Sequence, residues 1–179
     1  GVPTNALFGF LNTMQAVVDR FAPDALFVAF DISKKVFRHE QFADYKGTRT
    51  GMPEELQEQM PLIKEALKYM NVETFGIEGY EADDIIGSMA KCCKDVQTTI
   101  LTSDRDLLQL IDSSTHVLLM KKGLSEMELM DEQNLLDTYG ITPSQVIDMK
   151  GLMGDTADNI PGVAGVGEKT ALSLLNQYS

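Results

Sequence analysis

Two apolar runs in this chain end in an aspartate: DALFVAFD over residues 24–31 and QTTILTSD over 97–104. Short runs of this kind, bounded by polar residues, predict buried strands. Around them the period changes to that of helices. Leu7, Phe10, Leu11, Met14, Val17, Val18 and Phe21 share one stripe over 5–21, and Leu56, Met60, Ile63, Leu67 and Met70 share another, which Pro61 is expected to kink. A short strand near 72–75, a helix carrying Ile85, Ile86, Met89 and Ala90, a short helix over 106–111 and the strand HVLLM continue the alternation. Residues 121–130 read as a hairpin or edge segment around Gly123, and from 131 onward the chain reads as helical and Gly-rich, with no further strand. Residues 31–52 lose all periodicity. Strands alternating with helices predict an α/β fold with a mostly parallel central sheet flanked by helices. Functional sites in such sheets lie at the carboxyl ends of the strands, where Asp31 and Asp104 stand.

The stretch GYEADDIIG adds Glu81, Asp83 and Asp84 at the start of a helix. Acids there suit the positive end of the helix dipole, by about 0.3–1 kcal/mol each. A third acid adds repulsion, so the dipole accounts for only part of the pattern. LTSDRDLLQL supplies Asp104 and Asp106, and GDTADNIPG supplies Asp155 and Asp158. Each pair alone reads plainly as a cap, an Asx-turn or a solvated face. Together with Asp31 they make eight acids in four loops. Two unit charges ~4 Å apart repel by ~4 kcal/mol at an effective dielectric near 20. Divalent cations relieve that repulsion, and all-oxygen ligands select Mg²⁺ or Mn²⁺. Two such ions can clamp the attacking and leaving oxygens of a phosphoryl displacement.

Charge bears on the same point. A net charge of −12 argues against a generally basic, nucleic-acid-coating surface. Without these eight, however, the 27 acids fall to 19 against 15 bases, a net of −4 that allows one face to touch DNA. At 179 residues and 44% apolar the chain can bury a real core. No apolar run approaches the ~20 residues needed to cross a bilayer, and no signal-peptide pattern opens it. The adjacent Cys92 and Cys93 cannot build a disulfide framework and are expected as buried or half-buried thiols, which points to a reducing, cytoplasmic setting.

The segment KKVFRHEQFADYKGTR mixes Lys34, Lys35, Arg38, Lys46 and Arg49 with Phe37, Phe42 and Tyr45. Cations that track phosphates and aromatics that stack on bases mark single-strand binding, although an exposed loop with tucked aromatics would read the same way. The stretch NIPGVAGVGEKTALSLL nearly reads as a phosphate loop, but Glu168 stands where that motif needs Lys and no strand precedes it. It resembles instead a helix–hairpin–helix, in which Gly165 and Gly167 let backbone N–H groups approach a phosphate and Lys169 adds charge.

Taken in order, GVPTNALFGF, FDISKKVFRHEQFADYKGTR, GYEADDIIG, LTSDRDLLQL and GDTADNIPGVAGVGEKTA resemble the 5′-nuclease domains at the front of bacterial DNA polymerases I, in the flap endonuclease family. The resemblance covers essentially the whole chain. It implies a metal-dependent 5′-3′ exonuclease and flap endonuclease acting on DNA with a 5′ flap, nick or 5′ end, monomeric, followed in the parent chain by a polymerase domain. It implies a nuclease core over 1–130, with an arch over 32–52, and the start of a helix–hairpin–helix subdomain over 131–179. By that match Asp31, Glu81 and Asp83 serve a first metal, with Asp84 in support. Asp104, Asp106, Asp155 and Asp158 serve a second, and Asp83 lies near both. Lys46 and Arg49 contact the scissile region, Arg38 a nearby phosphate and Tyr45 a base. Gly162, Gly165, Gly167 and Lys169 grip duplex backbone, and a K⁺ ion is implied beside the hairpin. The family also begins with a strand carrying a further metal-site Asp, so this chain reads as a fragment whose sheet lacks that strand.

Two other readings use the same residues. A haloacid dehalogenase-type phosphatase would employ Asp104 as nucleophile with Asp106 and the 154–158 stretch, leaving the 81–84 acids unused. A DNA-structure-binding module would grip flaps without cutting.

Overall fold

The computed structural model describes every residue except 2, 123–125 and 179. In chain order the first elements are α1 (Asn5–Phe21), β1 (Phe27–Ala29), α2 (Arg38–Gln41), α3 (Glu54–Tyr69), β2 (Glu73–Phe75) and α4 (Ala82–Cys92). They are followed by β3 (Thr98–Thr102), a 3₁₀ turn (Arg105–Leu110), β4 (Thr115–Lys122) and β5 (Glu126–Met130). The C-terminal elements are α5 (Glu132–Tyr139), α6 (Pro143–Met153), β6 (Gly154–Asp155), β7 (Ile160–Pro161) and α7 (Glu168–Tyr178). Two compact units result, one of residues 1–36 and 50–85, the other of residues 37–49 and 86–179.

In the first unit β1 and β2 pair in parallel, Phe27 opposite Glu73 and Ala29 opposite Phe75, with α3 as the crossover between them. The two helical stripes meet over this pair. Met14, Phe30, Ile63 and Leu67 form the buried centre, and Leu7, Phe10, Leu11, Val28, Met60 and Val72 pack around it. The α3 helix runs unbroken through Pro61.

Thr4 gives α1 no side-chain cap. A glutamine from α3 takes that role. Gln59, 1% exposed, accepts from the N–H groups of Ala6 (2.7 Å) and Leu7 (3.2 Å) through Oε1. Its Nε2 donates to Asn5 Oδ1 and to the Glu55 carbonyl. Gln59→Leu would keep the volume and strand those donors and acceptors in the interior. Urea titration should show a loss of about 1–3 kcal/mol at unchanged m.

In the second unit β3 and β4 are parallel, and β5 returns antiparallel to β4 with a register irregularity between Met120 and Lys122. The antiparallel pairing agrees with the expected hairpin or edge segment, whose centre at Gly123 lies outside the described residues. Ile100, Leu107, Val117, Leu119, Met130, Leu135, Val146 and Ala171 make the core on which α5, α6 and α7 are seated. Helix boundaries follow local chemistry: Asp131 Oδ1 accepts the Asn134 N–H at 2.7 Å to open α5, Gly140 closes it at φ 71°, and Thr142, Pro143 and Gln145 open α6 as a capping box.

The α/β alternation and both parallel pairs agree with the sequence pattern, although among the described residues the ladders fall into three separate groups. Three expectations are corrected. The 31–52 stretch contains the short α2. The C-terminal part does contain strands, the two-residue antiparallel ribbon of β6 and β7. Cys92 is exposed and only Cys93 is half-buried, because α4 ends at that point. Among the described residues no helix is long and apolar enough to cross a membrane.

Candidate metal and nucleic-acid site

Within the first unit, Asp31 follows β1 by two residues, and its Oδ1 accepts the Ala82 N–H at 2.6 Å. Asp84 Oδ2 accepts the Glu81 N–H at 2.9 Å. These two carboxylates thus satisfy backbone donors that open α4, the role that helix-start acids ordinarily play. Glu81 is 8% exposed, a buried acid, whereas Asp83 is exposed on the first turn of α4. Ser33 Oγ accepts the Gly79 N–H at 2.9 Å and ties the loop after β1 to the loop before α4.

Within the second unit, Asp104 caps the 3₁₀ turn, its Oδ1 accepting the Asp106 N–H at 2.8 Å. Asp155 Oδ1 accepts the N–H groups of Ala157 (2.8 Å) and Asp158 (3.2 Å), folding the 155–158 loop into an Asx-type turn. Between these two acid loops stands Lys150 of α6, which sequence reasoning missed. Its Nζ lies 2.6 Å from Asp106 Oδ1 and 2.8 Å from Asp155 Oδ2. Lys150 precedes Asp155 by five residues, and only the packing of α6 on the 3₁₀ turn brings it to Asp106.

The electrostatics follow from that bridge. Burial pushes the Asp106 carboxyl above its ordinary value, against the pull of Lys150. Burial acts upward on Asp155 too, but the Lys150 ammonium and the N–H groups of the turn outweigh it and hold the carboxyl low. Burial would lower the Lys150 ammonium, yet its two carboxylates keep it above the usual lysine range.

Asp158 is engaged by the 37–49 segment. Tyr45 Oη donates to Asp158 Oδ2 at 3.1 Å, and Arg49 pairs with Oδ1 while its Nε donates to the Ala157 carbonyl at 3.1 Å. The Lys46 N–H donates to the Asp158 carbonyl at 2.9 Å, and Asn159 Nδ2 donates to the Asp44 carbonyl. The Lys46 ammonium lies 5.2 Å from the centre of the Tyr45 ring, and the Arg38 guanidinium 4.7 Å from that of Phe37. Farther along, Gly165 takes φ +79°, and at both Gly165 and Gly167 the space a side chain would fill is open. Gly162 is pressed against backbone instead. Lys169 is exposed on the first turn of α7.

The donor chemistry fits a divalent ion. All eight side chains offer carboxylate oxygens, and the buried Asp106 Oδ1 already faces positive charge, the Lys150 ammonium 2.6 Å away. Within neither unit do three of these side chains converge on one point. In the second unit protein cations meet them instead.

Acid-bearing loops after parallel strands, continued by a helix pair around a glycine turn, define the PIN-like α/β class with a SAM-like helical continuation. The chain belongs to the 5′-3′ exonuclease family: residues 1–140 match its N-terminal resolvase-like domain and residues 141–179 its C-terminal SAM fold. It is 47% identical to DNA polymerase I of Bacillus subtilis over 180 residues, covering 99% of this chain and 20% of that one. It is 40% identical to a 5′-3′ exonuclease of the same organism, covering 99% of this chain and 60% of that one. The T5 D15 protein, co-crystallised with metal ions, superposes with a TM-score of 0.78 at 25% identity, covering 98% of this chain and 69% of that one. The chain thus spans about a fifth of the DNA polymerases I it matches. Membership over the whole chain sets the phosphatase reading aside, and Asp104 caps its own turn.

Proposed function

We propose that this chain is a divalent-metal-dependent 5′-3′ exonuclease and flap endonuclease, the N-terminal part of a DNA polymerase I that serves replication and repair in the cytoplasm. The observation that carries the reading is the set of eight carboxylates at strand ends and helix starts, with Asp106 and Asp155 drawn together around the Lys150 ammonium. Asp31, Glu81 and Asp83, supported by Asp84, would hold one Mg²⁺ or Mn²⁺ ion. Asp104, Asp106, Asp155 and Asp158 would hold the other. Such ions lower the pKa of an attacking water and neutralise charge on the cleaved phosphate.

The remaining roles belong to the protein's own groups. Lys46 and Arg49 meet the scissile phosphate, Arg38 a neighbouring phosphate, and Tyr45 stacks on a base, which requires Arg49 and Tyr45 to leave Asp158. Gly162, Gly165, Gly167 and Lys169 hold duplex backbone without reading sequence, and a K⁺ ion beside the 162–167 carbonyls would steady that turn. In this reading residues 1–130 are the nuclease core, 32–52 the arch and 131–179 the start of the duplex-gripping subdomain. The substrate is DNA with a 5′ flap, nick or 5′ end, and the working form is a monomer.

The test is cleavage of a 5′-labelled flap DNA with Mg²⁺, Mn²⁺ or EDTA. Metal-dependent release of short 5′ products that EDTA abolishes supports the reading. Absence of converging carboxylates within either unit favours one rival, a module that binds flap DNA without cutting. EDTA-insensitive binding with no cleavage in either metal would establish that rival.

A further inference from the structure

Glu168 is the residue that spoils the phosphate-loop match, and nothing above gives it a task. It is the first residue of α7, directly after the Gly165–Gly167 turn. Its partner lies 63 residues away. Arg105 Nη2 donates to Glu168 Oε1 at 2.9 Å and Nη1 to Oε2 at 3.2 Å, a two-pronged fork. The same guanidinium stands 4.9 Å from the centre of the Tyr139 ring. Arg105 sits between Asp104 and Asp106, whose spacing is closed by the hydrogen bond from the Asp106 N–H to Asp104 Oδ1.

Both side chains are more than a third exposed, so the pair adds little to global stability. Its value lies in direction. A planar fork fixes the orientation of two groups where a lysine would fix only a distance. We propose that Arg105 is a positioning residue: forked onto Glu168 and laid over Tyr139, it holds the Asp104–Asp106 turn in a set place relative to the first turn of α7. This rests on the nuclease reading, in which the acid turn and the glycine turn serve the same DNA. With the tie in place, duplex held at the glycine turn is presented to the acids in one register. Without it each hold survives separately and their alignment is lost.

The test compares wild type, Arg105→Gln, Glu168→Gln, the double variant and Arg105→Lys in the full chain. Flap cleavage with Mg²⁺ should show kcat lowered about tenfold in both single variants and no further in the double, since misalignment acts on the reacting geometry. DNA affinity, measured in Ca²⁺, should stay within about twofold and Tm within about 2 °C, as for a surface pair of small stability value. Arg105→Lys should recover part of the rate. Hydrogen exchange supplies a readout independent of activity: the Asp106 amide should exchange several-fold faster in Glu168→Gln. Unchanged exchange at Asp106, additive losses in the double variant, or a rate loss that merely follows a fall in Tm would each overturn the tie. A wild-type chain that cuts no flap DNA would overturn the nuclease reading instead, and the exchange result would then decide on the tie alone.

Discussion

Asp83→Asn should abolish metal-dependent cleavage and leave the fold intact. Asp83 is exposed on the first turn of α4, and the backbone donors that open this helix are met by Asp31 and Asp84. An amide of the same shape at that position removes one charge, and surface changes of this kind stay within about 0.5 kcal/mol. In the nuclease reading the lost charge is one that holds a divalent ion, which weighs far more than its helix-dipole contribution of about 0.3–1 kcal/mol. Loss of one preorganised electrostatic stabiliser costs about 10²–10³ in rate, and loss of an ion ligand is expected to fall at or beyond the upper end. Initial rates on 5′-flap DNA, with Tm on the same sample, check both halves. Asp84→Asn is the informative contrast, because its carboxylate also accepts the Glu81 N–H and its removal weakens a helix start. Equal rates in wild type and Asp83→Asn would remove Asp83 from the metal-holding set.

Gly154→Ala should destabilise this chain severely. Gly154 takes φ +73° and ψ −173°, a region open essentially to glycine alone. A Cβ at this position would stand 2.3 Å from the Gly162 nitrogen and 2.6 Å from the Ile160 carbonyl oxygen. The crowding is reciprocal, since a Cβ on Gly162 would stand 2.2 Å from the Met153 carbonyl carbon. Backbone strain of about 1–3 kcal/mol is therefore joined by a clash that only opening of the β6–β7 ribbon relieves, for a total above about 4 kcal/mol. Asp155 belongs to this ribbon and Asp158 to the loop it closes, so cleavage should fail with stability. Gly151→Ala is the control. It lies in α6 with open space around the added methyl, and helix propensity predicts a gain of up to about 1 kcal/mol. Urea titration of the two variants side by side would settle the contrast. A Gly154→Ala chain as stable as wild type would mean that the ribbon is not closed as described.

Much of this molecule is written locally. The α1 stripe predicts Asn5–Phe21 to the residue, because a 3.6-residue period of large apolar side chains leaves one face to bury. The strand ends at Asp31 and Asp104 are legible because an apolar run that stops at an acid marks where a buried strand meets solvent. The acids themselves were legible by type and spacing, and the glycine turn by composition.

What the tertiary structure decided are the partners of those residues. Gln59 reads as one more polar residue of α3, yet it caps a helix 53 positions earlier. Lys150 reads as an ordinary helix-end lysine, yet it lies between Asp106 and Asp155. Tyr45 and Asp158 meet across 113 positions, and Arg105 meets Glu168 across 63. Periodicity reports which face of an element is buried, since that depends on neighbours within a turn or two. It carries no information on which distant polar group completes a hydrogen bond or ion pair, because that depends on how helices and loops pack in space. Residue types and local elements could therefore be read from the chain alone, whereas the couplings among its acids, cations and caps exist only once the core has brought them together.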